Sequence, residues 1–315
     1  MNTTAVIEYQ ETQLEWEQLS SYLAHGLTIS TLAMYRRDMK AYLDYASRND
    51  LPTDAPRTVE MWRDDMVLNS TKSPNTINRM LSSIRRFMRE ARKQGWISVE
   101  AAYDFEHLDG VSLTLLKERM KHTRSIPITR AQMQMLCSLP DQTTLLGLRD
   151  RALLLTLATS GVRASELASL RVDRIFHKEG QPGAGTGYII QIMGKKDIEY
   201  RDCNLSPDAY AAIQTWLSVR GVPCPYVFSG FVGFGITPAP TKLSAKAVWD
   251  VTKAYAKQIG LEYISPHSFR RFVGTQIAAI DIRIAQVTLG HKDISTTAKH
   301  YVLDSLTVGV TDNLI

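Results

Sequence analysis

The stretch SPHSFRRFVGTQIAAIDIRIAQVTLGHKDISTTAKHY, residues 265–301, combines imidazoles, arginines and a tyrosine with short apolar runs. Pro266 predicts the start of a helix, so His267 and Arg270, which are three residues apart, share one face of it. A histidine alone at this place is more often a capping or packing residue. With an arginine beside it, the pair predicts a phosphate clamp.

The second half of this stretch adds a further imidazole and a hydroxyl group. Gly290 predicts the end of a helix and places His291 directly after it. Tyr301 lies ten residues later in a polar run, where packing is the simpler interpretation for a tyrosine taken alone. Arg271 lies off the face of the clamp and is predicted to be structural or to bind a nucleic-acid backbone.

Working outward, TSGVRASEL, residues 159–167, contains a second candidate anion site. Gly161 predicts the end of a buried helix, and Arg163 follows at the start of a short one, where backbone N–H groups also favour an anion. Glu166 lies three residues further on and can hold the guanidinium. Taken alone, such a pair is more often a structural salt bridge than a binding site.

A lysine pair lies in a predicted hairpin turn. Residues 188–193 and 198–205 are rich in β-branched and aromatic residues and flank the turn at 194–197. Lys195 and Lys196 both fall in that turn. Either lysine can present an ammonium group to a phosphate or to a leaving oxygen, and the turn does not distinguish the two. The alternative is that both lysines are merely exposed to solvent, as is usual at the tip of a hairpin.

Helical periodicity divides the chain into two domains. The first third predicts helices over residues 13–24, 30–47, 58–68 and 75–93. Ser30 is the predicted N-cap of the second helix, and Ser73 with Pro74 begins the fourth. We predict a helical first domain over 1–106, a linker over 107–125 and a second domain over 126–315. The predicted fold class is mainly α with a small antiparallel β-sheet.

Basic residues concentrate on the fourth helix and in the linker. The chain has 37 Lys and Arg against 32 Asp and Glu, a formal net charge of +5, which permits an anionic partner without requiring one. The clusters predict contacts to nucleic-acid phosphates, although a solvated helix face and a charged linker explain them equally well. The candidates are Lys72, Arg79, Arg85, Arg86, Arg89, Lys121 and Arg124.

The sequence gives little support for a zinc-binding, disulfide-rich, secreted or membrane-spanning protein. The three cysteines have the spacing of neither a zinc site nor a disulfide framework, which indicates reduced thiols inside a cell. The N-terminus lacks the pattern of a signal peptide, and the apolar runs are too short to cross a bilayer. Neither a glycine-rich phosphate loop nor a paired-carboxylate motif is found, so we expect neither a metal nor another cofactor.

The motifs follow one another in a set order: TSGVRASEL, MGKK, HSFR, LGH and a tyrosine. In this order they resemble the tyrosine recombinase family, which includes phage integrases and Xer-like proteins. Residues 28–46 and 73–91 resemble its core-binding domain, and residues 126–301 resemble its catalytic domain. The resemblance implies a two-domain clamp around duplex DNA.

The resemblance also implies a role for each motif residue. Tyr301 matches the nucleophile, which attacks the scissile phosphate and forms a 3′-phosphotyrosyl bond. Arg163 and Arg270 match the pair that grips the non-bridging oxygens in the transition state. Lys195 matches the general acid for the leaving 5′ oxygen, and His267 matches the residue that assists removal of the tyrosine proton. His291 matches a donor of a hydrogen bond to the phosphate, and Glu166 matches a support of the first arginine.

Two intervals depart from the family pattern. The tyrosine commonly follows the second imidazole by nine residues, whereas here the ninth residue is His300 and the tenth is Tyr301. The interval between Arg270 and His291 is also a residue or two short. These differences leave the geometry around the tyrosine open.

The partners that the resemblance implies are DNA and further copies of the chain. We expect double-stranded DNA with paired half-sites, a dimer on each site, a tetramer in synapsis and strand exchange through a Holliday junction. Accessory proteins are left open, and a cytoplasmic, nucleoid-associated location is expected. A non-catalytic DNA-binding regulator on the same fold and a type IB-like topoisomerase are the alternatives. In the family, tails such as residues 302–315 dock into a neighbouring protomer.

Overall fold

The computed structural model describes residues 18, 20–119, 127–179, 186–194, 199–233 and 237–301. For residues 24, 179, 186 and 299–301 it describes the backbone alone. Several predicted features lie outside the described residues: most of the first helix, Lys121, Arg124, Lys195, Lys196 and the tail 302–315. The chain divides into two compact units, residues 1–123 and 124–315.

The first unit is helical. It contains 3-10 turns at Ala24–Gly26 and Lys117–Arg119 and the helices α1 (Ile29–Arg48), α2 (Pro56–Asn69), α3 (Pro74–Lys93) and α4 (Val99–His107). Each of these helices contributes a buried aromatic side chain to one core, namely Tyr42, Trp62, Phe87 and Phe105. Helix α4 was not among the predicted helices.

Hydroxyl side chains set the starts of these helices. The prediction of Ser30 as the cap of α1 is wrong, because the side chain of Thr28 accepts the Thr31 N–H and Ser30 already lies inside the helix. Thr28 has the extended backbone that a cap requires, with φ −70° and ψ 152°. Ser73 caps α3 as predicted, and Pro74 is its first residue.

The structure corrects the first part of the predicted linker. Leu108, Val111 and Leu116 are buried in the core of the first unit. Arg119 donates hydrogen bonds to two backbone carbonyls near the end of α2. These apolar residues pack from an irregular segment, so helical periodicity did not reveal them. Residues 107–119 therefore belong to the first unit.

The second unit combines helices with two small antiparallel sheets. Its helices are α5 (Arg130–Ser138), α6 (Leu145–Ser160), α7 (Ala164–Ala168), α8 (Pro207–Val219), α9 (Ala245–Gln258), α10 (Pro266–Ala278), α11 (Ile282–Leu289) and α12 (Ile294–Tyr301). Its strands are β1 (Ile175–Glu179), β2 (Thr186–Ile192), β3 (Arg201–Leu205), β4 (Ser229–Val232) and β5 (Thr237–Lys242), and a 3-10 turn lies at Val172–Arg174.

The larger sheet has the order β1-β2-β3, and Ile190 of β2 lies opposite Ile175 on one side and Cys203 on the other. The antiparallel pairing of β2 with β3 confirms the predicted hairpin strands, although β3 begins at Arg201 rather than at residue 198. Strand β1 and the β4–β5 pair were missed. Two prolines in the sequence TPAPTK of β5 argue against a strand, because proline cannot donate a hydrogen bond to a neighbouring strand. Within its two-stranded sheet, β5 pairs with β4 alone.

Helix α6 lies at the centre of the second core and positions the start of α7. Its leucines at 153, 154 and 157 are fully buried, and it packs against α5, α8 and α10. It ends as predicted at Gly161, whose φ of 63° is left-handed. Of the described helices, none is long and apolar enough to cross a membrane.

Candidate active site

The first predicted arginine lies at the start of α7. Glu166 accepts the backbone N–H of Arg163 at 2.8 Å on Oε2 and accepts its Nη1 at 2.6 Å on Oε1. The carboxylate thus caps the helix and holds the guanidinium at the same time. The side chain of Arg163 is 46% exposed, whereas that of Glu166 is 2% exposed. The guanidinium is therefore fixed on its inner edge and open to an anion on its outer edge.

A buried cation supports this carboxylate from behind. Nη2 of Arg201 lies 2.7 Å from Oε2 of Glu166. Burial by itself raises the pKa of the Glu166 carboxyl, but the charge of Arg201 and the hydrogen bonds from Arg163 outweigh it and hold that pKa below its ordinary value. Glu166 is therefore ionised at neutral pH and keeps its grip on Arg163.

The second predicted arginine is a buried connector. Arg270 is 2% exposed. Its Nη1 donates to the carbonyl oxygen of Gly161 at 2.9 Å, and its Nη2 donates to the carbonyl oxygen of Leu289. A buried guanidinium needs several acceptors, and here the ends of α6 and α11 supply them. Arg270 thus joins the segment before Arg163 to the segment before His291.

His291 has both ring nitrogens engaged. Nε2 lies 3.1 Å from Nη2 of Arg270, and Nδ1 lies 2.9 Å from Oγ1 of Thr297. A guanidinium only donates hydrogen bonds, so Nε2 is the acceptor and the proton of the neutral ring sits on Nδ1. The predicted phosphate donor is thus tied by Nε2 to Arg270, which fixes its tautomer, and its Nδ1–H donates to Thr297.

The other predicted residues are placed less completely. His267 is exposed on the first turn of α10, three residues before Arg270. Tyr301 ends α12, a helix that packs against both α10 and α11. Arg271 is half-buried. The structure therefore bonds Arg163 to Glu166 and Arg270 to His291, and it links these two pairs through the carbonyl oxygen of Gly161. The helix that ends at the tyrosine packs against α10 and α11.

Two supporting residues were missed by the sequence prediction. Thr297 is fully buried and bonded to His291, but it gives no sequence signal within the polar run STTAKHY. Arg201 does give a sequence signal, because it lies on the same inward-facing side of β3 as Cys203 and Leu205. A charged residue at an inward strand position marks a buried ion pair.

The predicted basic cluster of α3 has partners within the first unit. Arg79 pairs with the buried carboxylate of Asp38, and Arg85 donates to the carbonyl oxygen of Leu108. Arg89 pairs with Glu106 at 2.9 Å. These contacts fasten α3 to α1, to α4 and to the segment after α4, so the structural interpretation accounts for three candidates. Lys72 and Arg86 are half-buried, and a role of this cluster in binding DNA stays a prediction.

The described part of the chain holds no group of three or more His, Cys, Asp and Glu side chains arranged to bind a metal ion. Among the described residues, the polar groups gathered at the site are guanidiniums, the carboxylate of Glu166 and the imidazole of His291. Such a set binds and neutralises a phosphate.

Comparison with known families decides the assignment. Residues 127–305 match the phage integrase family, and residues 17–95 match the phage integrase N-terminal SAM-like domain. The chain belongs to the phage integrase family. Membership confirms the resemblance to tyrosine recombinases, and with it the predicted class of enzyme, a site-specific recombinase.

Individual relatives of this integrase-family chain agree. It is 29% identical over 290 residues to the tyrosine recombinase XerD of Listeria innocua, covering 86% of this chain and 87% of the relative. Its fold resembles the XerH site-specific recombinase bound to a palindromic difH substrate (TM-score 0.71, 16% identity, 96% of this chain and 86% of the other). A lambda integrase tetramer bound to a Holliday junction shares the fold (TM-score 0.57, 16% identity, 93% and 79%). The predicted fold class is confirmed.

Proposed function

We propose that this protein cleaves and rejoins duplex DNA at specific sites, with Tyr301 as the nucleophile and Arg163 and Arg270 as the phosphate grip. The observation that carries the proposal is the link from Arg270 through the Gly161 carbonyl to the segment that presents Arg163. This link supports the proposal because it ties together two segments, far apart in the chain, that each carry one of the arginines. Two such cations stabilise the extra negative charge of a pentacoordinate phosphorus.

The proposed reaction conserves the phosphodiester. The Tyr301 oxygen attacks the scissile phosphorus and forms a 3′-phosphotyrosyl bond, while the bond to the 5′ oxygen breaks. The 5′ oxygen takes a proton from Lys195 or Lys196, and the proton of the tyrosine passes toward His267. In the reverse direction, a 5′ hydroxyl from another strand attacks the phosphotyrosyl bond and releases Tyr301. Strand joining then needs no other source of energy.

The proposed partner is double-stranded DNA with paired half-sites. The XerH and lambda integrase structures hold DNA, the latter as a tetramer on a Holliday junction. By analogy, we propose one dimer on each site, a tetramer in synapsis and a cytoplasmic location at the nucleoid.

Covalent capture tests the function. The full chain is incubated with restriction fragments that cover the DNA on both sides of its gene, and adducts that survive detergent are mapped to the nucleotide. We expect a 3′-linked adduct with the wild type and with Tyr263→Phe, a control tyrosine in the same unit. Tyr301→Phe should shift the same fragment in a gel and form no adduct.

The same assay separates the alternatives. A regulator would bind a fragment and leave no adduct with the wild-type chain. A topoisomerase would relax a supercoiled plasmid that lacks the mapped site. Either result, or an adduct with Tyr301→Phe, would overturn the proposal.

The leaving-group test distinguishes the two lysines. A 5′-phosphorothiolate leaves without a proton, so it should restore cleavage to whichever alanine variant has lost the acid. We expect rescue of Lys195→Ala and little effect of Lys196→Ala. Rescue of Lys196→Ala alone would transfer the role to that residue.

A further inference from the structure

Arg201, at the start of β3, joins parts of the site that are far apart in the chain. Its Nη2 pairs with Glu166, 35 residues earlier. Its Nη1 donates to the carbonyl oxygen of Thr288 at 2.7 Å, 87 residues later, and also contacts the sulfur of Cys203. The side chain is 15% exposed, so these contacts are largely shielded from water. One guanidinium thus holds the start of α7 against the end of α11.

The fit at the end of α11 leaves little freedom. A Cβ on Gly290 would lie 2.7 Å from both Cδ and Nε of Arg201. Gly290 also has a φ of 64°, in the left-handed region. Glycine is therefore required twice at this position, by the helix end and by the arginine that packs on it. His291 follows Gly290 directly, so the packing of Arg201 on Gly290 also sets the position of His291.

The charges around Glu166 explain why an arginine is needed there. The cations that act on the carboxylate are Arg163 from its own helix and Arg201 from β3. Cys203 beside them stays a neutral thiol, because burial raises its pKa to about 11; Arg270 also acts on this thiol and lowers its pKa. Without Arg201, the buried carboxylate would be balanced only by Arg163, the residue that has to face the DNA phosphate.

We propose that Arg201 is a positioning residue of the strand-transfer reaction, which aligns Arg163 through Glu166 and His291 through Thr288 and Gly290. This inference rests on the proposed function. Arg201 itself is turned to protein acceptors and does not contact the phosphate. Its guanidinium frees Arg163 to share its charge with the transition state, and it fixes the spacing between two phosphate-binding segments.

Three variants test the proposal. Arg201→Met removes the charge and keeps most of the length. Arg201→Lys keeps the charge but cannot reach Glu166 and Thr288 together. Arg220→Met is the matched control: Arg220 is another buried arginine of the same unit, and it donates to the carbonyl oxygens of Cys224, Tyr226 and Val227.

The first measurement is the rate of adduct formation on a nicked duplex that carries the cleavage position mapped with the wild-type chain. We expect Arg201→Met to lose about 100-fold in rate at saturating DNA, the scale of a displacement of about 1 Å at a reacting centre. Arg201→Lys should recover part of this loss. Arg220→Met should keep the wild-type rate at a temperature where it is folded.

The pH profile of that rate gives a readout that general destabilisation would not move. In Arg201→Met, Glu166 stays buried but loses one of the two cations that lower its pKa, so its pKa rises. The acid limb of the profile should then shift to higher pH in Arg201→Met and not in Arg220→Met. An unchanged profile in Arg201→Met, with an unchanged rate, would overturn the proposal.

Hydrogen exchange on the free protein separates this inference from the proposed function. Arg201→Met should raise exchange at residues 163–167 and at 288–291 together, whereas Arg220→Met should raise it at 220–228. Faster exchange at only one of the two site segments, or at neither, would contradict the link. If the wild-type chain forms no adduct on any fragment, the proposed function fails, and Arg201 is then a structural tie without a part in catalysis.

Discussion

Arg270 donates a hydrogen bond to the carbonyl oxygen of Gly161, two residues before Arg163. The two arginines that we propose as the phosphate grip are therefore coupled through the backbone, although 107 positions separate 163 from 270. Their burial differs widely: Arg270 is 2% exposed, whereas the side chain of Arg163 is 46% exposed. One arginine builds the site, and the other is presented by it.

This difference predicts unequal costs of substitution. Arg270→Ala leaves buried carbonyl oxygens without donors and should lower the free energy of unfolding by about 3 kcal/mol. Arg163→Ala should lower it by less than about 1 kcal/mol, because Arg201 still neutralises Glu166 and the pair is partly exposed. Both variants should lose adduct formation. Urea unfolding of the two proteins measures the contrast, and equal losses of stability would contradict the connector role.

Gly161 should tolerate a side chain poorly. Alanine there would adopt a left-handed backbone and place its Cβ 3.0 Å from a methyl carbon of Val273. Gly95→Ala is the matched control, because its φ of 76° carries the same backbone strain with no atom within 4 Å of the added carbon. We expect Gly161→Ala to unfold more easily than Gly95→Ala by about 1 kcal/mol or more. Thermal or urea unfolding of both variants tests this, and equal costs would mean that Val273 moves aside freely.

His291 should hold one tautomer. With Nε2 accepting from Arg270, the neutral ring should carry its proton on Nδ1 and donate to Thr297. Long-range proton–nitrogen correlation spectra of the ring report this directly. Thr297→Val removes the acceptor of the Nδ1–H and should slow adduct formation while Arg270 keeps the same tautomer, whereas Thr296→Val, at an exposed neighbouring position, should leave the rate unchanged. A ring protonated on Nε2 in the wild type would reverse the assignment of donors.

Glu166 should make stability depend on pH in one direction. Its folded pKa lies below the ordinary 4.5, so its contribution to the free energy of unfolding is present above pH 4.5 and is lost as pH falls through the folded pKa. Glu166→Gln should therefore be less stable than the wild type at pH 7, by about 2 kcal/mol, and the difference should shrink below pH 4.5. Asp173→Asn, which removes a surface pair with Arg171, is the control and should change stability little at any pH. A difference that grows on acidification would contradict the sign.

Local chemistry made several helix boundaries predictable from the sequence. Gly161 and Gly290 end their helices because glycine takes up a left-handed backbone without strain. Ser73 begins a helix because its hydroxyl accepts the backbone N–H of the residue three positions later. Where two neighbouring hydroxyl residues can both cap a helix, as Thr28 and Ser30 can, the prediction from the sequence selected the wrong one.

Only the tertiary structure decided which charged side chains are buried and which groups they contact. The sequence by itself determined the class of fold, the order of the motifs and the residue types proposed to bind phosphate, because these depend on local pattern. It did not show that Arg201 stands behind Glu166, that Arg270 is a connector, or that Arg85 holds the irregular segment after α4. Those contacts join residues 35, 109 and 23 positions apart. An arginine is stable in a protein interior only beside acceptors, and tertiary packing alone brings such distant acceptors to it.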